Sequence, residues 1–264
     1  MIRRTAGLWL GFMGIAALLG CASKDPLKPP KLDQPLIAFS YDDYGAVLAK
    51  VVTPDGYVRW DLLQTNDGEI RDRLVKFVGL IAAASPDNRP DLFATPRDRW
   101  AYWINAHNAL CMYWVMRHSY PAAVGPKMPD PFLVGGKAMS VDQIAAQLAE
   151  QCPDLRIYFA LNFCAHSCPP LRNTPYDGAV LDAQLVDQAR VYLGDPRAVV
   201  RQGDAALVND ILLKYQEEFG HQDTPASTGF LAVLTTLANE DSPLNGAKSL
   251  GKLGFDWSLN RPPR

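Results

Sequence analysis

The segment from Pro96 to His118 constrains the fold most, because large apolar side chains occur on nearly every side of the helix that it predicts. Thr95 can cap this helix, Pro96 suits its first position, and Asp98 favours its positive end. A helix without a polar face must be surrounded by other elements. We therefore predict a central, buried helix. Its apolar side chains are Trp100, Trp103, Ile104, Leu110, Cys111, Trp114 and Val115.

The remaining elements are short and do not repeat as strand-helix units, which argues against a doubly wound parallel sheet. We predict one helix-rich α+β domain, with a small, mostly antiparallel sheet packed on the central helix. Further helices are predicted at 41–50, 69–84, from Ser140 onward, and at 182–193, 209–219 and 227–238. Strands are predicted at 51–58 about a Pro-Asp-Gly turn, around Gly135-Gly136, at 156–161 and at 255–257.

The first residues predict export and a lipid anchor. Arg3 and Arg4 precede an apolar run that is too short to span a bilayer but suits a secretory signal. The run ends in Leu18-Leu19-Gly20-Cys21, which resembles the lipobox of bacterial lipoproteins. This resemblance implies that Cys21 becomes the acylated N-terminus, with palmitate among its chains. Because Ala22 follows instead of Asp, it also implies an outer-membrane lipoprotein that faces the periplasm.

Residues 1–20 are thus predicted to be a signal peptide, residues 21–36 a lipidated cysteine with a proline-rich tether, and residues 37–264 one globular domain. The formal charge changes from −2 to −4 when Arg3 and Arg4 are removed. A mildly acidic chain with scattered basic residues lacks the footprint of nucleic-acid binding. We expect the protein to contact the membrane through the lipid alone. Its partner is expected to be an envelope protein or a small molecule, and the sequence does not identify which.

Four separate motifs resemble the landmarks of the family called domain of unknown function 547, in the same order. They are Trp103-Ile104-Asn105-Ala106-His107-Asn108-Ala109-Leu110, Arg156 to Asn162, Ser167-Cys168-Pro169-Pro170-Leu171 and Phe255 to Asn260. The resemblance spans about residues 41–260 and implies no particular activity. This chain departs from the pattern of the family that it resembles at three positions. A tyrosine is usual at His107, a histidine is common at Tyr158, and the first loop cysteine has moved to Cys164.

Residues 162–170, the cysteine-rich loop, concentrate Cys164, His166 and Cys168 and permit three interpretations. An oxidising compartment favours a structural disulfide that involves Cys168. A second interpretation makes Cys168 or Cys164 a nucleophile, with His166 or His107 as its base. The third is a metal site, but a second paired motif of the usual zinc kind is missing, so we predict no metal and no cofactor.

Asn105, Asn108 and Asn162 are polar residues where burial is expected, and a buried amide needs hydrogen-bond partners. They either hold the cysteine-rich loop by its backbone or line a ligand site, and we favour the first. The favoured function is an accessory domain that binds a ligand or partner at the envelope. The alternative is a cysteine-dependent hydrolase or acyl transferase that acts on envelope peptide or ester bonds.

Overall fold

The structure is a computed structural model that describes residues 36–65, 68–213 and 226–263. The signal peptide, Cys21, nearly all of the tether and most of the helix predicted at 209–219 lie outside these residues. The helices are α1 (Asp42–Val51), α2 (Asp61–Gln64), α3 (Gly68–Ala83), α4 (Pro96–Arg117), α5 (Val141–Gln151), α6 (Leu181–Leu193) and α7 (Ala226–Leu237), with short 3-10 helices at Pro90–Leu92 and Leu155–Phe159. The strands are β1 (Phe132–Val134), β2 (Lys137–Met139), β3 (Val199–Gln202), β4 (Ala205–Val208) and β5 (Ser249–Lys252).

Helix α4 is the central buried helix that the sequence predicts. Thr95 and Asp98 form a capping box at its start, where each side chain binds the other residue's backbone N–H. Every residue from Ala101 to Met112 is buried, including the whole of Trp103. Helices α3 and α5 pack against α4, and α1 packs on α3, so the main core surrounds α4.

Two small sheets complete the described part of the fold. Strands β1 and β2 form the predicted antiparallel hairpin, with Gly135 and Gly136 in its turn. Strand β4 pairs antiparallel with β3 and parallel with β5. The three-stranded sheet shares a second, smaller core with α6 and α7. The fold is therefore a helix-rich α+β domain, as predicted.

The strand predictions at 156–161 and 255–257 are wrong, and the one at 51–58 holds only in part. The 51–58 segment contains only the antiparallel bridge between Val52 and Val58, because α1 continues to Val51. The 255–257 segment is not a strand, whereas β3, β4 and β5, which form the three-stranded sheet, were not predicted. The predicted strand at 156–161 is replaced by the 3-10 helix Leu155–Phe159, where the Asp154 carboxylate accepts the Arg156 backbone N–H and binds its guanidinium.

The C-terminal segment fixes the cysteine-rich loop against the core. Leu259 pairs with Ala165 in an antiparallel bridge, and the Asn260 backbone N–H donates to the Cys164 carbonyl at 2.8 Å. None of the helices in the described part of the chain has the length and hydrophobicity needed to span a bilayer.

Candidate functional site

Amide side chains bind the backbone of the cysteine-rich loop. Asn108 on α4 donates from Nδ2 to the Ala160 carbonyl at 2.9 Å and accepts the Asn162 N–H through Oδ1 at 2.9 Å. Asn162 in turn accepts the Cys164 N–H at 2.6 Å and donates to the Pro169 carbonyl at 2.6 Å. Both amides are almost wholly buried, so each bond replaces one that water would otherwise supply. These contacts define the path of the loop.

Asn105 likewise binds the backbone of the segment that follows the cysteine-rich loop. Its Nδ2 donates to the Tyr176 carbonyl at 2.8 Å, and its Oδ1 accepts the Tyr176 N–H at 2.9 Å. The three amides therefore bind backbone groups of adjoining segments, and Asn105 and Asn108 connect them to α4.

The predicted disulfide is not formed, because all four cysteines within the described residues are free and buried. The Cys168 sulfur instead accepts the Phe163 N–H at 3.3 Å. Cys164 has a positive φ of 62°, and the Asn162 side chain holds its N–H. Hydrogen bonds thus define this turn without a covalent link. The described cysteines are Cys111, Cys152, Cys164 and Cys168.

Burial raises the pKa of each of these thiols. It raises the pKa of Cys168 to about 11, although the N–H groups of Phe163 and Ala165 and the Arg197 charge oppose it. Burial raises the pKa of Cys164 and Cys111 well above the ordinary thiol value. Cys164 and Cys168 each expose only 1% of their surface, so reagents have no direct path to them. A nucleophilic cysteine needs the opposite setting.

We expect the four described thiols to resist alkylation in the native protein. A chain carrying Cys21→Ser should react negligibly with a maleimide at pH 7.5 and completely in concentrated urea, because burial and a high pKa both disappear on unfolding. Mass spectrometry after short exposures measures this. One thiol that is labelled within seconds in native buffer would restore the nucleophile interpretation.

The two candidate histidines occupy different surroundings. His166 is half-buried beside the Tyr57 ring, with centroids 5.9 Å apart, in a cleft that Arg197 and Asp256 also line. His107 is wholly buried on α4, where its Nδ1 lies 3.9 Å from the Cys111 sulfur. Its ring meets the Phe163 ring edge to face at 4.7 Å.

The hydrogen bonds of Asn108 define the tautomer of His107. Asn108 donates to a carbonyl through Nδ2 and accepts an N–H through Oδ1, so its amide orientation is fixed. The atom 3.0 Å from His107 Nδ1 is therefore the Asn108 oxygen Oδ1, which is an acceptor. His107 Nδ1 therefore carries the proton, and Nε2 is the bare nitrogen. Nε2 is buried and has no hydrogen-bond partner within the described residues.

Burial lowers the pKa of His107 from 6.5 to about 4, although the Asn108 contact opposes it. The unfolded chain then binds more protons between these values, so the free energy of unfolding should fall as the pH decreases through this window. We expect His107 to account for a loss of about 2 kcal/mol between pH 7 and pH 5. Urea titrations of wild type and His107→Leu at pH 7 and pH 5 isolate this contribution. An equal loss of unfolding free energy in both proteins would contradict it.

An apolar groove of about 610 Å³ lies beside the cysteine-rich loop. We call it the α5 groove. One wall is a face of α5 on which Ala145, Ala146 and Ala149 recur at helical spacing, with Asp142 one turn before them. The other wall consists mostly of aromatic and aliphatic side chains from distant segments. The groove is lined by Pro126, Lys127, Asp142, Ala145, Ala146, Ala149, Tyr158, Leu161, Phe163, Asp210, Ile211 and Trp257.

The charges of the α5 groove come from Lys127, Asp142 and Asp210. Asp210 pairs with Lys252 at 3.1 Å. Lys127 is exposed and forms no ion pair with any residue that the structure describes. A cation is therefore available beside an apolar surface, which is an arrangement that suits an amphiphile with an anionic head.

The sequence singled out the cysteine-rich loop and its amides but missed the α5 groove. The available signal was the repeat of Ala145, Ala146 and Ala149 on α5, which leaves space where larger side chains would fill it. Within the described ranges, no group of three or more His, Cys, Asp and Glu side chains could hold a metal ion.

Residues 93–193 match the model of a family described as "Protein of unknown function, DUF547". The match begins just before α4 and ends with α6, so it contains the cysteine-rich loop and the α5 face of the groove. Comparisons with curated proteins and with solved structures gave no match.

Proposed function

We propose that this protein is a lipid-anchored component of the bacterial outer membrane whose domain faces the periplasm and binds a small amphiphile in the α5 groove. The anchor rests on the lipobox-like Leu18-Leu19-Gly20-Cys21 and the proline-rich segment after it. Two or more acyl chains on Cys21 would give a stable attachment, whereas one would be marginal.

Radioactive palmitate tests the anchor. Bacteria that express the full chain should incorporate label into it and retain it in the outer-membrane fraction. Cys21→Ser should abolish both, whereas Cys152→Ser, a matched cysteine in the folded domain, should leave labelling intact. Unlabelled wild type would refute the anchor without affecting the binding proposal.

The α5 groove carries the binding proposal. Its volume lies in the range of roughly 300–1,000 Å³ that is usual for small-molecule sites, and its walls are mostly apolar. Trp257 and Tyr158 offer aromatic surface, while Lys127 offers a positive charge for a carboxylate. The occupant that fits these features has an apolar body and an anionic head.

The buried thiols favour binding over hydrolysis or acyl transfer. A cysteine-dependent enzyme needs an accessible thiolate within reach of a base. Cys164 and Cys168 are buried, and burial raises their pKa values. The groove, in contrast, is open and needs no chemical step.

Titration with 11-(dansylamino)undecanoate tests the proposal, because the dye fluoresces more strongly on entering an apolar site and the chain ends in a carboxylate. We expect saturable binding that Lys127→Glu weakens about tenfold by replacing attraction with repulsion. Lys76→Glu, an exposed lysine on α3, is the matched control and should bind as wild type does. An unsaturable signal, or equal effects of both substitutions, would refute the proposal.

A further inference from the structure

His107 Nε2 is a hydrogen-bond acceptor for which the fold supplies no donor within the described residues. Asn108 fixes the tautomer through the other ring nitrogen, Nδ1. The Asn108 side chain is itself held by two hydrogen bonds with backbone groups. A buried acceptor without a donor is unfavourable, since it loses water without gaining a partner. A group from outside the chain could supply the missing donor.

Phe163 contacts both the His107 ring and the α5 groove. Its side chain lines the groove and also touches the His107 ring edge to face, with centroids 4.7 Å apart. The ring is only partly buried, in contrast to its neighbours Asn162 and Cys164. The groove and the imidazole thus share this one side chain, while the backbone bonds of Asn162 hold the loop around it in place.

We propose that the ligand of the α5 groove carries a hydroxyl at its apolar end, and that this hydroxyl donates to His107 Nε2 once Phe163 turns aside. This inference rests on the proposed binding function. A neutral donor suits the site, because a charged ligand group would lose its hydration in a buried setting without an opposite charge on the imidazole. The low pKa of His107, about 4, keeps Nε2 an acceptor near neutral pH.

Paired fatty acids test the inference by competition against 11-(dansylamino)undecanoate. Decanoate, dodecanoate and hexadecanoate are each compared with their ω-hydroxy partners. A terminal hydroxyl normally weakens binding to an apolar groove, because it must be dehydrated. We expect the opposite for at least one chain length, with the hydroxy acid binding about tenfold more tightly than its parent.

In His107→Leu the preference should reverse, so that every parent acid binds more tightly than its hydroxy partner. His118→Leu, an exposed histidine at the end of α4, is the matched control and should keep the wild-type preference. If the parent acids bind more tightly to wild type at all lengths, the inference is overturned while the binding function stands. If no acid displaces the probe, both fail.

Nitrogen NMR of the wild-type imidazole gives a readout that does not depend on the folding of a variant. His107 should show a protonated Nδ1 and a bare Nε2 in the free protein. The favoured ω-hydroxy acid should shift the Nε2 resonance upfield, as accepting a hydrogen bond does, and its parent acid should not. A protonated Nε2, or the same shift with both acids, would overturn the inference.

Discussion

Replacement of Asn108 by leucine is expected to lower the free energy of unfolding by roughly 3–5 kcal/mol. The substitution leaves three buried groups without their partner, namely the Ala160 carbonyl, the Asn162 N–H and the His107 Nδ1–H. Each such group loses about 1–3 kcal/mol when water cannot replace the bond. The amide thus contributes far more than the apolar area that leucine would gain.

Urea denaturation followed by tryptophan fluorescence measures this loss. Asn173→Leu is the matched control, because Asn173 is exposed on the segment after the cysteine-rich loop and should change stability by less than about 0.5 kcal/mol. If Asn108→Leu unfolds at the urea concentration of wild type, Asn108 does not hold the loop, and the account of the candidate site is wrong.

Replacement of Ala146 by tryptophan is expected to reduce the affinity for 11-(dansylamino)undecanoate at least about 100-fold. Ala146 is exposed on the α5 wall of the groove, so an indole there would occupy space that the ligand needs. A loss of roughly 3 kcal/mol of apolar contact corresponds to this factor. Stability should change little, because no core side chain is displaced.

The matched control for this experiment is Ala183→Trp. Ala183 is an exposed alanine on α6 and is not among the groove residues. It adds the same indole to a helix surface, so the control separates a specific block from a general effect of an added aromatic side chain. Unchanged affinity in Ala146→Trp would place the ligand elsewhere.

The sequence predicted those elements whose signals are local. The beginning of α4 follows from the Thr95 and Asp98 capping box, and that of α5 from Ser140 and Gln143. The apolar side chains on nearly every side of α4 likewise predicted its central position. These interactions lie within a few residues of one another, so they can be read directly from the order of amino acids.

The strand prediction at 156–161 was wrong because apolar residues alternate there for another reason. Ile157 belongs to the main core, whereas Phe159 packs into the second core around α6 and the three-stranded sheet. Apolar residues two positions apart thus serve two cores on different sides of a 3-10 helix. The pattern of a strand arose from tertiary contacts that the sequence does not display.

The site was likewise predictable only in part. The cysteine-rich loop and the three asparagines stand out because buried amides need partners. The α5 groove joins α5 to Trp257 across more than a hundred residues, and one of its walls is defined by small side chains. The alanine repeat marks a helix face with small side chains, but only the assembled fold shows that this face borders a groove.

A crystal structure of the protein with dodecanoate tests the central claim most directly. We predict density for the alkyl chain along Ala145, Ala146 and Ala149, with the carboxylate beside Lys127 and the chain against Trp257. A groove filled by the protein's own side chains, with dodecanoate bound elsewhere or not at all, would contradict the account.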